Sequence, residues 1–363
     1  MIYQLWSIAR NSFTESIRQP LFVVLILVGT LMLVLNVFLA AYTMEDDNKM
    51  LIDMGLSVLL TGGLFLAAFT ATSVLSNELE NKTVLTVVSK PVPRPIFVIG
   101  KYLGVVGALA TAYWVLSIIF LFSARHQVMQ TASDGFDGPV LVFGAIAIFG
   151  ALLIAAAGNY LYQWVFTSTF VGTAFILASI GALMVLLLDR HWEFQTITAE
   201  LTKNDGKMTQ ICMGLVLIFQ ALLVLSAVAI AASTRLGQVM NLVVCTGVFL
   251  FGLISDYLTY LVQKPFQLNI SDAENQAASL SFVDQAWTVL TTSGSIMSKF
   301  LFFLVNALYA ILPNIQFFWP ADALTQDHSF TPSYLAMTLG YSLLMTAAIL
   351  SLAVILFQDR EVG

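Results

Sequence analysis

Apolar residues run through this chain in long unbroken stretches separated by short polar ones, without a sustained two-residue alternation. A helix needs about 20 apolar residues to cross a hydrocarbon core ~30 Å thick. Eight stretches reach that length: residues 21–42, 54–76, 102–124, 140–163, 169–188, 211–232, 239–261 and 333–357. The fourth and fifth come from one uncharged run that is too long for a single helix. Gln163, Trp164, Thr167 and Ser168 suit an interfacial turn, so the split falls there. Ser233-Thr234-Arg235-Leu236-Gly237-Gln238, with a charge and a glycine, divides the sixth from the seventh. A ninth run, 300–319, is interrupted by Pro313 and Asn314 and followed by Pro320. Proline removes a helical hydrogen bond and clashes with the preceding turn. The run therefore predicts a short or re-entrant helix over 300–312. A kinked full span is the other reading, and it would move the C-terminus to the opposite side.

Residues 1–20 follow a different pattern. Ile2, Leu5, Trp6, Ala9, Phe13 and Ile17 recur at helical spacing, with Gln4, Arg10, Asn11, Thr14, Glu15 and Arg18 opposite, and Pro20 ends the run. This predicts an amphipathic helix in the membrane interface, with Trp6 at headgroup depth. A cleaved signal peptide is not expected, because the apolar run that follows is longer than a signal h-region. The whole is an all-α, polytopic transmembrane helix bundle. One membrane domain covers 21–363, with a loop over 77–101 and an acidic outer loop over 263–298. In that outer loop Ala277, Leu280, Val283, Trp287 and Leu290 share one helical face.

Composition narrows the class. The chain is 59% hydrophobic and 10% charged, against about 45–50% and about 25% in soluble domains. A soluble fold could not hide that excess, and a disordered chain needs the reverse balance. A transmembrane barrel would alternate in segments of about 10 residues. The net charge is −6, from 15 basic and 21 acidic residues, and no basic face for nucleic acid is present. Cys212 and Cys245 lie inside apolar runs and read as small core residues, not as a disulfide or metal framework.

Threading eight spans with the N-terminus inside puts Arg10, Arg18, Lys82, Lys90, Arg94, Lys101, Arg235 and Arg360 on the inner face. Glu15, Glu78, Glu80, Asp359 and Glu361 accompany them, leaving that face basic and the outer face strongly acidic. By lysine and arginine alone the two faces are nearly even. Three of the outer cations, Arg190, Lys203 and Lys207, fall in one loop.

Ion-coupled carriers bury ionisable groups near the midplane. None is expected at mid-depth here: Asp189 and Asp256 sit near helix ends, and His126, His191 and His328 fall in outer loops. Asn36, Asn159, Gln220 and Asn241 are neutral and suit hydrogen bonds between helices. There is no H-E-x-x-H, G-x-S-x-G, C-x-x-C or Walker A sequence, and Asp46-Asp47 stands alone on a short outer loop. An enzyme and a nucleotide-binding chain are therefore not expected, nor is a metal site.

The inner loop between spans two and three is the informative segment. Glu78 and Glu80 close the second span, and Thr83 can cap a short helix over 83–89. Pro91, Pro93 and Pro95 force a stiff extended turn, with Pro95 at the position of a first helical residue. Arg94 and Lys101 bracket the start of span three. From the residues alone two readings stand: a rigid element that passes a push from a soluble partner to the spans, or a plain interfacial loop whose cations set topology.

The order acidic-x-acidic-x-x-Thr, an apolar stretch, Ser89-Lys90-Pro91-Val92-x-Arg94, then Gly100-Lys101-Tyr102-Leu103-Gly104 resembles the coupling-helix region of ABC transporter type-2 permeases. These are the membrane subunits of ATP-binding-cassette exporters. The N-terminal helix resembles that family's connecting helix. Leu312-Pro313-Asn314-Ile315-Gln316-Phe317-Phe318 resembles its stretch before the last span, and Phe357-Gln358-Asp359-Arg360-Glu361 its short cytoplasmic tail. The family commonly has six spans, so two look inserted around 169–232. Its usual glycine before the threonine is Lys82 here. Thr167-Ser168-Thr169-Phe170 and Ser233-Thr234-Arg235-Leu236 are both candidates for its turn after span four.

The resemblance implies a permease in the cell membrane, a bacterial inner membrane, with both termini cytoplasmic. It implies a second permease subunit, homodimeric or heterodimeric, and separate ABC ATPase subunits that bind the ATP, so this chain itself holds no cofactor. Glu78, Glu80, Thr83, Lys90, Pro91, Arg94, Gly100 and Lys101 would then contact or orient the ATPase. A non-transporting anchor for ATPase-driven work at the cell envelope would have similar spans. A membrane-embedded enzyme acting on lipid lacks a catalytic constellation. The substrate is not legible: 27 Phe, 11 Tyr and 6 Trp suit an amphiphile or lipid and equally suit packing.

Overall fold

A computed structural model describes residues 2–40, 47–80, 93–129, 135–263, 289–290, 295–326 and 328–358. The predicted helix over 83–89, the apolar face from Ala277 to Trp287 and the tail from Asp359 lie outside those residues. Every long element described is a helix, as expected in lipid, where each backbone polar group must be satisfied within its own segment.

The helices are α1 (Ile2–Ile17), α2 (Pro20–Ala40), α3 (Asp47–Glu80), α4 (Arg94–His126), α5 (Gly138–Tyr162), α6 (Phe166–Leu187), α7 (Ile197–Ser233), α8 (Gln238–Gln263), α9 (Ile296–Ile311), α10 (Ala321–Thr325) and α11 (Pro332–Gln358). Among the described residues, eight are long and apolar enough to cross a membrane: α2 to α8 and α11. They coincide with the eight predicted spans, and α5 carries a π-turn over Ile146–Gly150. The split between α5 and α6 falls at Gln163, whose φ of 55° is left-handed. There Asn159 Nδ2 donates to the Trp164 carbonyl at 2.7 Å and closes the hairpin.

The spans overrun their predicted limits, and this corrects the loop. α3 has 34 residues and α4 has 33, about 50 Å each at 1.5 Å per residue. The loop expected over 77–101 is helical at both ends, and only 81–93 lies between the helices. Pro93 is the extended residue before α4, so Arg94 rather than Pro95 is its first helical residue.

The chain divides into two compact units, residues 1–245 with 318–363, and residues 246–317. In the first unit the contacts fix the direction of each helix. Asn36 Nδ2 donates to the Leu51 carbonyl (2.8 Å), pairing the end of α2 with the start of α3. The Val128 N–H donates to Asn48 Oδ1 (3.1 Å), bringing the end of α4 to the start of α3. At the opposite end of the bundle Lys101 reaches the Val74 carbonyl, and Phe97 stacks on Phe357 with centroids 5.5 Å apart. Ile118, Phe122, Val140, Ala147, Ala178 and Val185 form the buried core shared by α4, α5 and α6.

α7 and α11 run parallel. The Phe330 N–H donates to Gln210 Oε1 (2.8 Å) near their starts, and Arg235 Nε donates to the Leu356 carbonyl (2.9 Å) near their ends. The chain from Gln238 to Thr331 therefore makes one net crossing. α8 has the length for it. α9 has 16 residues, about 24 Å, and stops at Leu312, held extended by Pro313. This fits the short-helix reading of that run.

In the second unit α9 starts on Ser295, whose hydroxyl accepts from the Met297 N–H. The Leu312-Pro313-Asn314-Ile315 segment then docks on α8. The Ile315 N–H donates to the Gly252 carbonyl (3.1 Å), and Asn314 Nδ2 donates to Asp256 Oδ1 (2.9 Å). A Cβ on Gly252 would lie 2.6 Å from the Pro313 carbonyl oxygen, so only glycine admits this approach.

α1 packs chiefly along α4. The face it buries is Ala9, Ser12 and Ser16, not the large apolar residues. Ile2, Tyr3 and Trp6 stay exposed, Trp6 by 68%. The contact is a backbone approach over glycines. A Cβ on Gly100 would meet Ile8 at 2.8 Å, and one on Gly104 would meet Ser12 Cβ at 2.5 Å and the Ala9 carbonyl oxygen at 2.6 Å. Gly104→Ala should cost about 1–3 kcal/mol of stability in detergent by overpacking and should expose α1 to limited proteolysis. Gly62→Ala, whose added Cβ meets nothing within 4 Å, should leave α1 protected.

Candidate functional site

The ends of α3 and α4 that flank residues 81–93 lie beside α1, the α5–α6 turn, the α7–α8 turn and the end of α11. Thr167 Oγ1 donates to the Arg18 carbonyl (3.0 Å), which ties the α5–α6 turn to the end of α1.

The first turns of α4 hold this end together. Lys101 is 1% exposed. Its ammonium lies 3.8 Å from Glu15 Oε2 of α1, 3.4 Å from the Val74 carbonyl of α3 and 5.6 Å from the centroid of the Phe97 ring. A lysine that is not exposed must be paired, and here the pairing joins three helices. Tyr102 donates to the Leu223 carbonyl of α7 (3.1 Å). Phe97 stacks on Phe357 of α11. Gly100 and Gly104 seat α1. Within three turns α4 thus touches α1, α3, α7 and α11.

A second tether grips the last turns of α3. Asn241, buried on α8, donates through Nδ2 to the Ala68 carbonyl (3.2 Å) and to Thr72 Oγ1, and Cys245 Sγ donates to Asn241 Oδ1 (3.5 Å). Both tethers lie just before the turns of α3 that carry Glu78 and Glu80.

The eight candidate residues divide accordingly. Glu78 and Glu80 fall in the last turn of α3. Thr83, Lys90 and Pro91 lie outside the described residues. Arg94 opens α4 and is exposed, whereas Gly100 and Lys101 are buried and face the protein's own helices. The Gly-Lys-Tyr-Leu-Gly stretch is therefore a packing hub. The sequence puts Lys101 at a loop edge because the uncharged apolar run of span three begins at Tyr102. The helix starts eight residues earlier, at Arg94, and brings Lys101 inside. Gly104, Tyr102 and Thr72 are not among the site residues the sequence suggests, whereas Asn241 makes the interhelical hydrogen bonds expected of it. The Gly100-x-x-x-Gly104 spacing was the available signal for the glycines.

The other end of the bundle holds a charged cluster that hydropathy could not reveal. Asp137 caps α5, with its Oδ1 accepting from the Val140 N–H (3.3 Å), and its Oδ2 lies 3.1 Å from Arg125 Nε and 3.8 Å from Arg190 Nε. The Arg125 guanidinium also donates to the carbonyls of Val185 and Leu188, fastening the end of α4 to that of α6.

Two measurements check the tethers. A double-mutant cycle of Lys101→Met with Glu15→Gln, read by unfolding in detergent, should give a coupling of at least about 0.5 kcal/mol; additive effects would contradict the pair. Asn241→Leu should cost about 1 kcal/mol, as interhelical hydrogen bonds in membranes do.

A family model described as ABC-2 family transporter protein matches residues 21–236, more than half of the 363 residues. The match takes in α2 to α7, residues 81–93 and the two spans that looked inserted around 169–232. No curated protein and no solved structure matches the chain. With eight helices of membrane-spanning length and a family match over most of its spans, the chain is a multi-pass membrane protein of the ABC-2 transporter family.

Proposed function

We propose that this chain is the permease subunit of an ABC exporter in the cell membrane, a bacterial inner membrane. A separate ATPase subunit drives it through residues 77–101, and a second permease subunit completes the pathway. The observation that carries this reading is the hub at the start of α4. Residues 81–93 lead through Pro93 straight into Arg94, and the next three turns are held against α1, α3, α7 and α11. A push delivered to that loop moves all four helices, because packed helices shift as units and do not deform locally.

The α1 end is the cytoplasmic end in this reading. It gathers Arg10, Arg18, Arg94 and Arg235, and cytoplasmic loops concentrate such residues. Eight crossings then return the C-terminus to the same side as α1. The partner binds and hydrolyses ATP; this chain supplies the lever and the passage. In this reading Glu78, Glu80 and Arg94 meet the ATPase. Lys101 and Gly100 act one layer inward, as the joint that transmits the motion.

The test is reconstitution with the ABC ATPase encoded beside it. The complex should co-purify, and Glu80→Ala with Arg94→Ala should lower its ATPase activity at least about tenfold, the scale expected when a charge-assisted contact is lost. Unchanged activity in the double variant would remove the loop from the mechanism. For topology, a cysteine placed at Ser7 should react with a permeant maleimide only, and one at Gln127 with an impermeant one applied from outside. The reverse pattern would invert the chain.

A further inference from the structure

We propose that a groove between α1 and α4 binds an anionic phospholipid of the leaflet at the α1 end, with an acyl chain in the groove and the headgroup phosphate at Arg10. The inference is independent of the transport reading, because neither the groove nor its cation depends on an ATPase.

The groove has a volume of about 620 Å³, within the range of about 300–1,000 Å³ in which small-molecule sites fall. Leu5, Trp6 and Phe13 line it from α1, and Leu103 and Gly107 from α4. Among the described residues of the lining Arg10 alone is charged. The Thr14 hydroxyl is turned to its own helix, where it donates to the Arg10 carbonyl (2.9 Å). Glycine at 107 leaves the space open: a Cβ there would already lie 3.3 Å from the Phe13 ring. A flexible hydrocarbon suits such a slot, whereas a polar solute would find few hydrogen-bond partners along it.

The depth of the groove identifies its surroundings as lipid. Phe97 of α4 stacks on Phe357 of α11, so the start of one helix and the end of the other lie at one level. Just inward of Phe357, α11 exposes Leu352 and Ile355, and large apolar side chains exposed on a spanning helix face hydrocarbon, not water. Leu103 and Gly107 follow Phe97 by six and ten residues, which carries them about 9 and 15 Å further into the bundle. Leu103 and Leu352 are therefore at similar depth, and the groove opens where acyl chains are. Tyr3 and Trp6, both exposed on α1, are the residue types that sit at headgroup level. The charges supply the second half of the match. Glu15 faces Lys101 of α4 at 3.8 Å, whereas Arg10 and Arg18 are exposed, so the outward side of α1 presents cations to the leaflet. The stem of an arginine can follow an apolar wall while its guanidinium reaches the headgroups, and a planar guanidinium pairs with two phosphate oxygens.

The test reconstitutes the protein in nanodiscs of phosphatidylglycerol with phosphatidylcholine, releases it into detergent and identifies the retained lipid by native mass spectrometry. Wild type should keep phosphatidylglycerol in preference to phosphatidylcholine. Arg10→Gln should lower that retention about fivefold, the scale of one arginine at an anionic surface, and Arg10→Lys should preserve it. Gly107→Leu, which fills the groove, should abolish retention. Gly172→Leu adds the same bulk on α6, where a Cβ meets nothing within 4 Å, and should not. Because Gly107→Leu can also displace α1, the Arg10 variants, which leave the packing alone, decide the matter. Photoreactive benzoylphenylalanine in place of Leu103 should capture lipid. Capture of a second copy of the chain instead, equal retention of phosphatidylcholine, or unchanged retention in Arg10→Gln would overturn the proposal.

Discussion

Inside a bilayer the side chains of one helix gain little by exchanging lipid tails for another helix, so the bundle is held by close backbone approach and by polar groups with nowhere else to go. Both devices meet in the first three turns of α4. Gly100 and Gly104 let the backbone of α1 come near enough that a methyl group would collide with it. Lys101, almost wholly buried, takes its partners from α1 and α3. Tyr102 reaches a carbonyl of α7, and Phe97 meets the last turn of α11. Remove these contacts and the loop before Arg94 would connect two spans without engaging the others.

The two ends of the bundle solve the same problem with different chemistry. At the α1 end the tethers, apart from the Lys101–Glu15 pair, are neutral: a tyrosine, an asparagine, a threonine and main-chain carbonyls. At the other end Arg125, Asp137 and Arg190 lock α4, α5 and the turn after α6 with full charges. In the proposed orientation the charged clasp lies outside and the joint of small and neutral groups inside, next to the loop proposed to receive the push. Helix glycines also weaken the local backbone, which suits a joint better than a clasp.

The spans were legible because their signal is one-dimensional: length and apolarity decide, and all eight were recovered within a few residues at most ends. The short helix before the last span was legible for the same reason, since Pro313 sets its end. The joint was less so. Hydropathy ends a span at its first charge, so Lys101 was placed in the loop, although a lysine paired with Glu15 can sit inside. The family resemblance singles out the stretch that leads into α4, but the glycines and lysine of that stretch turn inward to the protein's own helices. The Arg125–Asp137–Arg190 cluster could not be read at all, because its members are separated by up to 65 residues and meet only once α4, α5 and α6 have packed.

The central claim is that the loop, α1 and the first turns of α4 move as one body when the ATPase partner binds nucleotide. Hydrogen exchange by mass spectrometry on the reconstituted complex, with and without a non-hydrolysable ATP analogue, tests it most directly. Amides of Ile2–Ile17 and of residues 94–104 should change protection together, in the same direction. A nucleotide-dependent change confined to residues 81–93, with α1 and the start of α4 unaltered, would contradict the account.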